Sequence, residues 1–122
     1  MNIKLGSTRR VFVFRNFVIK IPNTQEYKLF LNGILSNLQE KLFSKMNRLD
    51  LAKVKYCDRF GLILIMEKAK EFDYNNLNWL EFKNALEEKY KNDDMKEFML
   101  SDAKPTNWGI INGELVKIDY GS

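Results

Sequence analysis

Asp102, Lys104 and Asn107 fall in one short irregular stretch, Ser101-Asp102-Ala103-Lys104-Pro105-Thr106-Asn107, and Asp119 follows in Asp119-Tyr120-Gly121. Between them lie two apolar runs, Trp108-Gly109-Ile110-Ile111 and Glu114-Leu115-Val116-Lys117-Ile118, separated by Asn112-Gly113. Asn-Gly is a strong hairpin signal, because both positions tolerate the positive φ of a type I′ turn. A reversal there carries Asp119 back beside the start of the hairpin, next to Asn107. An amide oxygen and a carboxylate brought together are hard ligands suited to Mg²⁺ bridging phosphate oxygens. The stretch therefore reads as a phosphate-and-metal site. A further charged group, Lys20, sits in the apolar segment Phe17-Val18-Ile19-Lys20-Ile21. Its plain reading is a half-buried strand with the ammonium turned to water.

The elements that must position these groups follow from periodicity. Ile3-Lys4-Leu5, Val11-Phe12-Val13-Phe14 and Phe17 to Ile21 are rich in β-branched and aromatic residues and separated by turn residues, which predicts a three-stranded meander ending at Pro22. From Thr24 to Met46 apolar residues recur at three- and four-residue steps (Tyr27, Phe30, Leu31, Ile34, Leu35, Leu38, Leu42), which predicts an amphipathic helix capped by Asn23 or Thr24. Ala52 to Cys57 alternates as a strand, Asp58 to Gly61 is a turn, and Leu62 to Met66 is a second strand. Leu77 to Tyr90, with Trp79 inward, predicts a second helix, and Met95 to Leu100 a third, capped by Asp93 or Asp94.

Composition sets the bounds. The 122 residues suffice for one domain with a single core, and no composition shift marks a second. Lys+Arg 20 against Asp+Glu 16 gives a net charge of +4 with no basic run, so a nucleic-acid partner is not indicated. One cysteine, Cys57, excludes an intrachain disulfide and fits a reducing cytosol. The absence of histidine removes the usual neutral-pH base and commonest zinc ligand. No apolar run suits a signal peptide or membrane span, so a cytoplasmic protein without membrane contact is expected.

At the distal residues the chain resembles the protein kinases and their small kinase-like relatives. The family's H-R-D-L-K-P-x-N is similar to Leu100-Ser101-Asp102-Ala103-Lys104-Pro105-Thr106-Asn107, and its D-F-G to Asp119-Tyr120-Gly121. Phe17-Val18-Ile19-Lys20 resembles V-A-I-K, and Met66-Glu67-Lys68-Ala69 the hinge after the fifth strand. The resemblance implies an α+β, kinase-like minimal fold over residues 1–122: a sheet of about five antiparallel strands with one packed helix over 1–69, then short helices and a catalytic-loop hairpin over 70–122. It implies ATP and Mg²⁺ as cofactors. Lys20 would hold the α- and β-phosphates, paired with Glu40 or, in reserve, Glu26. Met66 would guard the adenine pocket, whose backbone contacts would come from Glu67 and Ala69. Asn107 and Asp119 would hold the metal, Lys104 would steady the γ-phosphate, and Asp102 would orient or deprotonate the acceptor hydroxyl.

The pattern also departs from the family. Of the phosphate-covering G-x-G-x-x-G only Gly6 remains, followed by Ser7-Thr8-Arg9-Arg10. Arg9 or Arg10 would supply guanidinium contacts in place of amides, or point to solvent, the expectation for at least one of them. On an unbroken helix Glu40 lies nearly opposite the Leu31-Ile34-Leu38 stripe, so either Gly33 resets the phase or Glu40 is a surface residue. The segments that grip a peptide beyond D-F-G are not in the sequence, so the acceptor is not identified. Two functions are expected: a miniature phosphotransferase acting on a protein or small molecule, or a kinase-like nucleotide-binding module that seizes a partner. Short kinase-like reading frames of bacteriophages look similar, which implies a host protein as that partner and host cytoplasm as the location. Apolar surface left uncovered implies a partner or a homodimer.

Overall fold

Seven strands and three α-helices alternate along the chain in a computed structural model that describes residues 2–5, 8–71, 78–101 and 104–121. Strands β1 (Asn2–Leu5), β2 (Arg9–Val13) and β3 (Phe17–Pro22) form the expected antiparallel meander. Helix α1 (Tyr27–Ser44) follows, then β4 (Val54–Cys57) and β5 (Leu64–Glu67). β5 inserts beside β3, giving a five-stranded sheet in the order β1-β2-β3-β5-β4, with every neighbouring pair antiparallel. The architecture is α+β. Among the described residues no helix is long and apolar enough to cross a membrane.

Helix α1 is continuous through Gly33, and its buried residues are Gly33, Ser36, Asn37 and Glu40. These positions, spaced by three and four, form one face. The expected core stripe is thus corrected: Tyr27, Leu31, Leu35 and Leu42 are exposed, while Phe30, Ile34 and Leu38 are half-buried. The glycine permits close approach, since a Cβ there would lie 2.7 Å from the Cα of Pro22. The cap also differs. Asn23 accepts from the Gln25 amide at 2.9 Å in a local turn, and the helix starts after Glu26 with no side-chain cap.

Helix α2 (Trp79–Tyr90) is capped by Asn78, whose side chain accepts from the amides of Leu80 and Glu81. It buries Leu86 and Tyr90 but leaves Trp79 and Leu80 exposed, contrary to the expectation for Trp79. The expected first residue of this helix, Leu77, lies outside the described residues. Helix α3 (Lys96–Leu100) leads to a 3₁₀ turn at Pro105–Asn107 and the hairpin β6 (Trp108–Ile111) and β7 (Glu114–Lys117). Asn112 and Gly113 have φ of +52° and +79°, the values a type I′ turn demands.

The hairpin is fastened on both sides. Lys70 and Ile110 exchange backbone hydrogen bonds of 2.8 and 2.9 Å, while the Ala52 amide donates to the Lys117 carbonyl at 2.9 Å and the Lys117 amide to that of Asp50 at 2.8 Å. A core containing Leu64, Met66, Tyr90, Met99, Trp108 and Tyr120 joins the sheet to the helices and hairpin. These ties fix the tail against the sheet, which is what brings Asp119 to face Lys20.

Candidate functional site

Lys20 is buried on β3, and three acceptors surround its ammonium: both carboxylate oxygens of Glu40 at 3.0 and 3.1 Å and the carbonyl of Ile118 at 2.8 Å. An ammonium has three protons, so these satisfy it. Glu40, 0 % exposed, resolves the phase problem in neither expected way, because the inward face of α1 is the polar one. Glu26 is exposed at the start of α1 and has no part in the pairing. The lysine of an apolar strand is thus not turned to water.

Arg9 is the third member of the cluster. Its guanidinium donates to Glu40 Oε1 at 2.5 Å and Oε2 at 3.3 Å, to Asn37 Oδ1 at 3.1 Å and to Asp119 Oδ1 at 2.8 Å. Arg9 is therefore neither a solvent charge nor turned outward over a phosphate loop. Asn37 completes the frame by donating to the carbonyls of Lys20 at 3.1 Å and Gly61 at 2.9 Å. Neither Arg9 nor Asn37 was marked for this place by sequence, although Asn37 could have been found from its three-residue spacing to Glu40 on one helix face.

The charges set the protonation states. Burial by itself would raise the Glu40 carboxyl, but the charges of Lys20 and Arg9, with their hydrogen bonds and that of the Tyr120 amide, overcome it and bring the pKa down to about 2. Burial lowers the Lys20 ammonium from its ordinary value, with Glu40 opposing that shift. For Arg9 burial acts downward, yet Glu40 and Asp119 hold the group above its ordinary value. At neutral pH Glu40 is a buried carboxylate held between two cations.

The tail enters the same cluster. The Tyr120 amide donates to Glu40 Oε2 at 2.8 Å, and the buried Tyr120 hydroxyl donates to the Ala52 carbonyl at 2.6 Å. Gly121 lies against the α1 backbone, where a Cβ would be 2.9 Å from Glu40 Cγ and closer still to the Ser36 carbonyl. Asp119 is left with its carboxylate 47 % exposed, facing Arg9 from one side.

Beside this cluster opens a cleft of about 340 Å³. Val11, Val13, Val18, Met66, Ala69 and Ile118 supply its apolar walls, and Lys20, Asn107 and Asp119 lie on its polar side. Glu67, Lys68, Glu71 and Thr106 complete the lining; Lys68, Glu71 and Thr106 were not singled out from sequence. Volume and lining suit a ligand with one flat apolar part and one anionic part. Asn107 and Asp119 are brought together as expected, with the Ile118 amide donating to the Asn107 carbonyl at 2.8 Å.

Two expected residues, Gly6 and Asp102, lie outside the described residues. Lys104 is exposed where the chain enters the 3₁₀ turn, its carbonyl accepting from the Asn107 amide at 2.9 Å, and it is not part of the cleft lining. Among the described residues no group of three or more His, Cys, Asp or Glu side chains converges. A metal would rest on Asp119 and the Asn107 amide, an oxygen set that fits Mg²⁺ when ligand phosphates supply further oxygens. Asp119 Oδ1 already accepts from Arg9, so a cation there would compete with the guanidinium.

Comparison of the chain with protein-family models, with curated proteins and with solved structures finds no match.

Proposed function

We propose that this protein is a minimal kinase-like phosphotransferase that binds ATP with Mg²⁺ and passes the γ-phosphate to a hydroxyl of a protein or small-molecule acceptor. The observation that carries the reading is the buried Lys20–Glu40 pair, 3.0 Å apart, at the polar side of an apolar cleft whose lining also includes Asn107 and Asp119. Phosphoryl transfer asks the protein mainly to place groups and neutralise charge, so a small scaffold is enough. Adenine would lie between Val11, Val18, Met66 and Ala69, with backbone contacts from Glu67 and Ala69. The phosphates would meet Lys20 in exchange for its bond to the Ile118 carbonyl. Asn107 and Asp119 would hold Mg²⁺, which would neutralise phosphate charge. Asp102 would orient or deprotonate the acceptor, and Lys104 would swing in to the γ-phosphate. Asp119 must first release Arg9, whose Nη2 would then have one N–H to offer a phosphate oxygen while Glu40 and Asn37 keep the other Nη protons of the guanidinium.

That contact favours a second reading. With Arg9 on Asp119 at 2.8 Å and Lys104 outside the cleft lining, the resting state resembles a binding module whose metal ligand is spoken for. In that reading the protein takes a nucleotide without turnover and acts through a partner, such as a host protein.

The two readings separate in one experiment. ATP with MgCl₂ at a hundredfold over Kd stabilises the fold by about 2.7 kcal/mol, visible as a rise in Tm. Asp119→Ala is expected to remove the magnesium-dependent part of that rise. Transfer of labelled γ-phosphate that is lost in Asp102→Ala supports the enzyme. A Tm rise without transfer supports the binder, and no rise with any nucleotide overturns both.

A further inference from the structure

We propose that the groove between the last turns of α1 and strand β4 is a docking site for an acidic peptide segment of a partner protein. It is a concavity of about 330 Å³ lined by four lysines: Lys41 from the last turn of α1 and Lys45 from its C-cap, and Lys53 and Lys55 from β4 and the residue before it. Among the described residues no carboxylate lines it. None of the four ammonium groups makes a salt bridge among the described residues.

Acids close in sequence already accept other hydrogen bonds, Glu67 from the backbone of the groove residue Lys53 itself. Asp58 accepts from the amides of Phe60, Leu62 and Ile63, Glu40 is enclosed by Lys20 and Arg9, and Glu67 accepts from the Lys53 amide at 2.7 Å. The chain has 20 basic and 16 acidic residues, so setting these four lysines aside leaves the other cations and anions equal in number. The whole charge excess of the protein therefore equals what one groove displays.

Ordinary roles account for parts of this arrangement. Lysine near a helix C-terminus complements the helix dipole, and lysine on an edge strand discourages aggregation. Neither role requires lysines from two elements to line one concavity. The choice of a peptide over a nucleic acid follows from the rest of the surface. Tyr56 lines the groove and is 54 % exposed, and Leu42 and Met46, next in sequence to Lys41 and Lys45, are exposed. β4 is also the edge strand of the sheet, a place where an extended chain can lie. A concave, apolar-edged basic site fits an acidic segment with one apolar anchor better than a phosphodiester track. The groove shares no residue with the nucleotide cleft, so the inference stands whether or not ATP is bound.

The test uses the full chain and fluorescence anisotropy with a labelled peptide that alternates Glu and Ala and carries one central Leu. Saturable binding is expected, weakened about tenfold in Lys45→Glu/Lys55→Glu and by raising salt from about 50 to about 200 mM, and unchanged in Lys83→Gln, an exposed lysine of α2 outside the groove. Lys45→Gln/Lys55→Gln, which removes charge without reversing it, is expected to lie between. Circular dichroism verifies that each variant is folded. Absence of saturable binding, equal binding by the folded charge-reversal variant, or tighter binding of an oligothymidylate of equal charge would overturn the proposal.

Discussion

Replacing Glu40 by Gln keeps the size of the side chain and removes its charge. The carboxylate is fully buried and accepts from Lys20 at 3.0 and 3.1 Å, from Arg9 at 2.5 and 3.3 Å and from the Tyr120 amide at 2.8 Å. Glutamine turns one of those acceptors into a donor aimed at a cation. Lys20 and Arg9 are then two buried cations with only the half-exposed Asp119 nearby. Removing one partner of a buried ion pair costs roughly 3–5 kcal/mol. A second route gives a similar size: a carboxyl brought from 4.5 to about 2, at about 1.4 kcal/mol per unit, corresponds to about 3 kcal/mol. At about 2.1 cal/mol/K per residue, a chain of 122 residues loses roughly 4 °C of Tm per kcal/mol, so a fall of about 12–20 °C is expected at pH 7. The assay is thermal unfolding followed by far-UV circular dichroism. The folded pKa of Glu40 is depressed, so its stabilisation is complete above its ordinary value of 4.5 and is lost as pH falls through about 2. The gap between wild type and variant should therefore close across that window, while carboxylates common to both cancel in the difference. A fall below about 4 °C at pH 7, or a gap that persists undiminished to pH 2, would refute the assignment of Glu40 as the hub of the cluster.

Other perturbations test neighbouring parts of the argument. Gly121→Ala puts a Cβ against the Ser36 carbonyl and 2.9 Å from Glu40 Cγ, so the tail must shift; a loss of about 1–3 kcal/mol in chemical denaturation is expected, and an unchanged midpoint would show that the tail does not pack under α1. Lys117 is buried and donates to the carbonyls of Phe98, Met99 and Ser101 at 2.8, 3.3 and 2.9 Å. Lys117→Met fills the same space but leaves those acceptors without their cation. Faster amide exchange over residues 98–101 and a cost of about 1–3 kcal/mol are expected, and unchanged exchange there would show that the ammonium does not hold the approach to Asp102.

Much of the architecture was legible in the sequence because it is written in local chemistry. Alternating β-branched residues marked the strands, and Asn112-Gly113 marked a turn whose positive φ values the structure contains. The resemblance, not local chemistry, paired Glu40 with Lys20 and set Met66 to Ala69 apart; the structure has Lys20 and Glu40 in hydrogen-bond contact and Met66 to Ala69, Asn107 and Asp119 along one cleft. Helix limits shifted by a few residues, because Asn23 spends its side chain on a local turn instead of a cap.

What periodicity could not give was the direction each face would point. The spacing of leucines put the apolar stripe of α1 inward, yet its buried residues are Gly33, Ser36, Asn37 and Glu40, and Leu31, Leu35 and Leu42 face out. A polar face can be buried only where distant partners neutralise it, and those partners, Arg9 and Lys20, are 31 and 20 positions away from Glu40 in the chain. The sequence by itself determined where the backbone runs straight, coils and reverses, since these depend on neighbours a few residues apart. Only the tertiary structure decided that Arg9 lies inside, that Lys104 stands apart from the cleft lining and that four lysines converge on one groove, because the energy of a charge depends on what surrounds it in space.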